Sequence, residues 1–177
     1  MVELIKGLKK YKNIDMELVL TQKNIHYKDI FDTGINIHYT VRKRLKKDPR
    51  LFWKFFRIAN KIKPDIIHVW GNLVAIYAIP AKALLRIPMI NNQITEVPLS
   101  LPKGPFNYKL PFRFSDRLIS NSLEGLKAFN APLNKSVCIY NGFDFNRLSD
   151  LEDVEKVKKR FGISTKFVGY VCNFLIF

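Results

Sequence analysis

Four short stretches, residues 65–70, 87–94, 116–121 and 136–140, each centre on adjacent apolar residues without strict apolar–polar alternation, and the segments between them carry helical spacing or helix-capping residues. A strand with one wet face alternates polar and apolar side chains, whereas an unbroken apolar run needs cover on both faces. That requirement predicts parallel strands wrapped by helices. Two earlier stretches, 16–21 and 35–40, extend the same rhythm. The expected fold is therefore α/β: a Rossmann-like, mostly parallel sheet with helices on both faces, whose ligands sit at the carboxyl ends of the strands.

Helix signals fill the intervals. Met1, Leu4, Ile5, Leu8 and Tyr11 recur at three- and four-residue spacing, so the chain opens on an amphipathic helix. Asp48 as a cap and Pro49 in the first turn start a second helix, on which Phe52, Phe55, Phe56, Ala59 and Ile62 share one face. A third helix covers 73–85, and a short one follows the 116–121 strand, with Asn121 as its cap and Glu124 reaching back. Pro98, Pro102, Pro105 and Pro111 interrupt any regular element between 96 and 111, which predicts a long, partly stiff loop. Ser149 and Glu152 read as a capping box for a helix through Arg160, with Gly162 as its left-handed stop. The run 166–177 reads as a buried strand, so the expected division is 1–148 for one domain and 149–177 for an interdomain helix and the first strand of another.

Charge narrows the choice of partner. Thirty Lys and Arg against fifteen Asp and Glu leave a formal +15, and residues 1–63 contribute +10 of it. Such a chain is expected to meet anions. The charge peaks at Arg42, Lys43, Arg44, Lys46 and Lys47 and continues on the helix through Lys54, Arg57 and Lys61, with Trp53 at its flank. A solvated face over an aromatic core stripe explains the phenylalanines; a membrane-surface patch explains Trp53 and the charge density better. Nucleic acid is disfavoured, because no helix-turn-helix, zinc-finger or RNP pattern accompanies the charge. No signal-peptide stretch opens the chain, and the longest apolar run, 73–81, is too short to span a bilayer. Cys138 and Cys172 suit neither a disulfide framework nor a zinc site, and no metal site is expected. A cytoplasmic location, at most peripheral to the inner face of the membrane, fits these features.

The polar residues that interrupt the apolar runs are the candidate site. His68 lies near the end of its strand, and Trp70, Gly71 and Asn72 form the turn after it. The next strand ends in Asn91, Asn92, Gln93, Thr95 and Glu96, a set of amides, hydroxyl and carboxylate able to hold sugar hydroxyls, although Asn and Thr also end strands for purely structural reasons. Asn121 and Ser122 occupy the equivalent place after 116–121; Asn141 and Gly142 follow the next run, with Asp144 and Arg147 behind them. His26 and His38 lack such placement and read as structural or solvent-facing.

Several segments together, KPDIIHVWG, FSDRLISNSLEGLKAF and above all IYNGFDFNR trailed by KFVGYVCNF, resemble the N-terminal, acceptor-side domain of family 4 glycosyltransferases, retaining enzymes of the GT-B type in which two Rossmann-like domains face each other across a cleft. The resemblance implies a GT-B N-terminal domain lacking its first strand, since this chain begins on the following helix. It implies an enzyme, when complete, that moves a sugar from a nucleotide-sugar donor to a cell-envelope or lipid-linked acceptor, with no other cofactor. His68, Trp70, Gly71, Asn72, Asn91, Asn92, Gln93, Thr95 and Glu96 would line the acceptor cleft, and Asn121, Ser122, Asn141, Gly142, Asp144 and Arg147 would shape the crossing between domains; no catalytic residue is assigned. The donor domain would be a missing partner, and the chain alone inactive. The competing expectation is a non-enzymatic basic Rossmann-like module that binds anionic lipid or nucleic acid. One further consequence concerns the sheet. The absent strand would lie between 16–21 and 65–70, so these two must pair directly, be bridged by another segment, or leave an open slot.

Overall fold

The computed structural model describes residues 1–25, 27–41, 48–94, 108–143, 145, 149 and 151–166. It divides into two compact units, Met1–Tyr140 and Asn141–Phe177. In the first unit the elements run α1 (Val2–Leu8), β1 (Glu17–Leu20), a 3-10 segment at Lys28–Thr33, β2 (Asn36–Tyr39), α2 (Arg50–Ile62), β3 (Ile67–Val69), α3 (Asn72–Leu85), β4 (Met89–Ile94), α4 (Lys109–Phe114), β5 (Arg117–Ser120), α5 (Leu123–Ala128) and β6 (Ser136–Cys138). The second unit contributes α6 (Val154–Phe161). Every described ladder is parallel.

The strands form two ladders, β1-β2 and β3-β4-β5-β6. Among the described residues the 16–21 and 65–70 stretches neither pair directly nor are bridged by a strand: β1 and β3 lie in separate ladders, each with one edge that no described strand pairs. In the doubly wound order 3-2-1-4-5-6 the first strand is flanked by the second and the fourth, and β1 and β3 correspond to those two.

Apolar packing fixes the helices on the four-stranded ladder. Ala75, Ala78 and Ala81 of α3 are fully buried in one cluster with Ile67, Val69, Met89 and Ala59 of α2. Small side chains at three-residue spacing let the helix approach the strands closely, and each buried Ile or Met is worth about 1.5–3 kcal/mol. Phe55 and Phe56 pack against the same cluster, and Phe52 meets Tyr77 edge to face at 5.0 Å, which joins α2 to α3. A second cluster gathers Ile94, Leu118, Leu126 and Phe129 with Tyr108 and Phe112 of α4.

Several local expectations change. Pro111 is inside α4 rather than a loop breaker; it occupies the third helical residue, where its missing N–H is one that the first turn leaves unpaired anyway. The last turn of that helix is held by Lys135, whose ammonium donates to the carbonyls of Phe112, Arg113 and Ser115. The cap of α5 is Ser122, not Asn121: Ser122 Oγ accepts from the Gly125 N–H at 3.0 Å. Likewise α6 is capped by Asp153, which accepts from Glu155 and Lys156, so the expected box at Ser149 starts the helix too early, while Gly162 does stop it at φ 65°. Each cap is the oxygen-bearing side chain two or three residues before the first unsatisfied N–H, and only the backbone path decides which one that is. The cap position of α2 is Pro49 rather than Asp48, one residue later than expected, although Asp48 still accepts from the Arg50 N–H at 3.1 Å and pairs with the Arg50 guanidinium.

Candidate functional site

The parallel register brings the expected polar residues to one end of one sheet. His68 pairs with Ile90, Val69 with Asn91, and Ile94 with Ser120, so the carboxyl ends of β3, β4 and β5 lie side by side. The turn after each strand then opens on the same edge. This is the end at which doubly wound sheets bind ligands.

The turn after β3 depends on Gly71. Its φ of 103° is a conformation that L side chains rarely adopt, and it caps α3 without contributing a side-chain hydrogen bond. The first N–H groups of this fourteen-residue helix therefore face the strand ends with no side chain of the capping residue over them, and a helix start of this kind favours an anion. The His68 residue keeps solvent contact at the strand end, while its ring lies 5.4 Å from that of Trp70 and is shielded in part by its surroundings. Burial of the imidazole against its surroundings, and secondarily the positive amino terminus of the chain, push its pKa below the ordinary value. His68 thus favours the neutral ring, one nitrogen donating and the other accepting.

On β4 the three amides have different fates. Asn91 is fully buried; its Nδ2 donates to Gln93 Oε1 and its Oδ1 accepts from the Gln93 N–H, both at 3.1 Å, so its polar atoms serve the strand end itself. Gln93 is thereby clamped by its carbonyl side, and its buried Nε2 has no hydrogen-bond partner among the described residues. A buried amide donor without an acceptor costs about 1–3 kcal/mol, which a ligand oxygen would recover. Asn92 is half-buried between them, pointing by strand alternation to the opposite face from Asn91.

The turn after β5 is stitched by two serines, Ser122, a residue expected at this strand end, and Ser120, which no sequence feature singled out. Ser120 Oγ donates to the Ser122 carbonyl at 2.8 Å and accepts from its N–H, and Ser122 caps α5. Gly125 lies against this turn: a Cβ there would come within 2.8 Å of Ser120 Oγ and 2.9 Å of Ile94 Cγ2. The glycine is what lets α5 sit on the ends of β4 and β5. Its signal in the sequence, a lone Gly inside a helical stretch, is visible but has several readings.

Other expected residues fall elsewhere. Thr95, Glu96, Asp144, Arg147, His26, Cys172 and the basic run Arg42, Lys43, Arg44, Lys46 and Lys47 lie outside the described residues. Asn141 and Gly142 are exposed and belong to the second unit. On α2, Lys54, Arg57 and Lys61 are exposed beside Trp53, which stacks on Phe56 at 5.6 Å. His38 is tied to Glu17 across the β1-β2 ladder, with Nε2 2.8 Å from Oε2. A cavity of about 430 Å³, lined by Lys109, Arg113, Asn134 and Lys135 over Tyr108 and Phe112, opens at the amino ends of β5 and β6, away from the strand termini described above. Among the described residues no cluster of His, Cys, Asp and Glu could hold a metal ion, and no helix is long and apolar enough to cross a membrane.

No protein-family profile and no curated protein sequence matches the chain. Solved structures do match in fold. The Anabaena protein HepE in complex with UDP superposes with a TM-score of 0.68 at 20% identity, over 90% of this chain and 45% of that one. The UDP-GlcNAc 2-epimerase of Neisseria meningitidis bound to UDP-GlcNAc gives 0.60 at 16% identity, over 90% and 48%. MurG of Acinetobacter baumannii gives 0.59 at 16%, over 81% and 41%. The fold is that of a Rossmann-like half of the GT-B architecture, and the chain spans about half the length of the structures it resembles.

Proposed function

We propose that the chain is the acceptor-side half of a retaining, family 4-type glycosyltransferase that moves a sugar from a nucleotide donor to a cell-envelope or lipid-linked acceptor. The observation that carries this reading is the Gln93 Nε2 donor, buried and without a hydrogen-bond partner among the described residues, at the same carboxyl strand ends that carry His68 and Asn92. Amides and a neutral imidazole offer donors and acceptors together, as sugar hydroxyls require. The uncapped start of α3 at Gly71 and Asn72 adds an attraction for a phosphate-bearing acceptor. HepE and the Neisseria meningitidis epimerase are solved with UDP or a UDP-sugar bound, which supports a sugar-nucleotide enzyme as the whole of which this fold is one half.

In this reading residues 1–148 hold the acceptor, and 149–177 begin the donor-binding half. Asn121, Ser122, Asn141, Gly142, Asp144 and Arg147 shape the crossing, and the chain does not turn over alone. Lys54, Arg57, Lys61 and Trp53, with the basic run 42–47, hold the enzyme at the anionic inner face of the membrane. A second reading, a half of a nucleotide-sugar epimerase, is favoured by the epimerase among the neighbours.

Titration of isotopically labelled chain with a short-chain polyprenyl diphosphate sugar separates them. The transferase reading expects shifts at Gly71, Asn92 and Gln93, and about tenfold weaker binding by Gln93→Ala. Shifts produced instead by UDP-GlcNAc alone favour the epimerase, and shifts confined to the surface of α2 leave only a basic lipid-binding module.

A further inference from the structure

The basic cavity at the amino ends of β5 and β6 lies at the opposite end of the ladder from His68 and Gln93. It holds about 430 Å³, between α4 and the connection from α5 to β6. Small-molecule sites run from about 300 to 1,000 Å³. Its floor is aromatic and fixed: Tyr108 and Phe112 are buried, and Tyr108 meets Phe112 and Phe129 edge to face at 5.4 and 5.3 Å. One wall carries Lys109 and Arg113, four residues apart and both exposed on α4. The other carries Asn130, whose φ of 46° turns the chain out of α5, and Asn134.

Three cations line this space, and none of the described lining residues is acidic. Like charges four residues apart on a helix repel and destabilise it. Lys135 adds a third charge, and burial pushes its pKa below the ordinary lysine value. The carboxylate that acts on Lys135, Asp116, is already held by Lys82 and the Met89 N–H. The Lys135 ammonium serves the carbonyls of Phe112, Arg113 and Ser115, so it offers the cavity a fixed charge rather than a spare donor. The Arg113 guanidinium makes no ion pair or hydrogen bond with a described residue, which leaves its donors for a ligand.

We propose that this cavity binds a phosphate monoester with an apolar body. A monoester carries about −1.5 to −2 charge at pH 7 and three terminal oxygens, whereas a carboxylate has one charge and two oxygens. Three cations and two amides match the first and exceed what the second can accept. The planar fork of Arg113 suits two phosphate oxygens, and Asn130 and Asn134 supply neutral donors. A phosphate fills only part of 430 Å³, and the rest lies over Tyr108 and Phe112, a floor that favours an apolar group. The site goes beyond the sugar-transfer reading and does not rest on it.

The probe is phenyl phosphate, titrated into the isotopically labelled 177-residue chain. Saturable shifts are expected at 108–113 and 130–135, with inorganic phosphate at least about fivefold weaker because it lacks the ring. Arg113→Gln, at an exposed position, should keep the thermal midpoint and weaken phenyl phosphate at least about tenfold. Lys127→Gln removes an exposed charge outside the cavity and should leave the affinity unchanged. No saturable shift overturns the proposal. So does equal weakening by both variants, which means attraction to net charge, and so does equal binding of inorganic phosphate, which means that no apolar subsite exists. Vesicles of phosphatidic acid in phosphatidylcholine distinguish the two sources of such a group: displacement of phenyl phosphate identifies a lipid headgroup as the ligand, and its retention identifies a soluble ester.

Discussion

Asp116 and Met89 are bonded in both directions: the Asp116 N–H donates to the Met89 carbonyl at 2.9 Å, and the Asp116 carboxylate accepts the Met89 N–H at 2.7 Å. The pair sets the register at the amino ends of β4 and β5, and Lys82 of α3 joins it with its ammonium 2.7 Å from the same carboxylate. Burial alone would raise the Asp116 pKa; the Lys82 ammonium and the Met89 N–H outweigh it and hold it below the ordinary value.

Asp116→Ala should therefore destabilise the chain by about 1–3 kcal/mol, because the N–H of the fully buried Met89 loses its acceptor. Asp116→Asn keeps that acceptor and should lose less, about 1 kcal/mol or below, since the Lys82 partnership is half-exposed and screened. A depressed carboxylate pKa contributes stability above the unfolded value of about 3.9 and loses it as pH falls through the folded one. Urea unfolding at pH 7 and at pH 3 should show the gap between wild type and Asp116→Asn closing at the lower pH.

His68 should titrate below about 6.5 in a proton-detected pH series. Acetylating the amino terminus removes the second cause and should move the midpoint upward without restoring it fully, because burial is the larger one. A depressed histidine pKa means that the unfolded chain takes up the proton first, so this group lowers stability as pH falls below about 6.5. An unmoved midpoint after acetylation would mean that the amino-terminal charge does not act on His68.

Gly125→Ala tests the seat of α5. The added methyl meets Ser120 and Ile94 at contact distances no relaxed Cβ shows, and a cost of about 1–3 kcal/mol is expected in thermal unfolding. Gly142→Ala, where a Cβ meets nothing, is the control and should change stability little.

Lys54, Arg57 and Lys61 changed together to Gln should weaken partitioning onto anionic vesicles, while leaving the far-UV spectrum and the Phe55 and Phe56 packing intact. Added salt should weaken it too, because exposed charges are screened beyond roughly 8 Å at physiological ionic strength. Binding that survives both treatments would make charge irrelevant to it.

Amide exchange should be faster in β1 and β3 than in β5, which keeps a neighbour on each side. Uniform protection across the three strands would mean that the free edges are covered.

The sequence by itself determined the elements and the end of the sheet at which chemistry gathers. Adjacent apolar residues without strict alternation require two-sided cover, so they required parallel strands, and parallel strands put all their carboxyl ends together; His68, Asn92 and Gln93 were visible there as polar breaks in apolar stretches. Tertiary structure decided what spacing along the chain cannot express. Asn91 and Gln93 are alike in sequence, yet the backbone turns one wholly inward and leaves the other a buried donor to offer. Ser122 rather than Asn121 caps α5, because the path of the chain places its oxygen under the Gly125 N–H. Pro111 reads as a breaker until its place in a first helical turn is known. The split between β1 and β3 is decided the same way: hydrogen bonds between strands join residues far apart in the chain, and no local pattern states which edge is left without a partner.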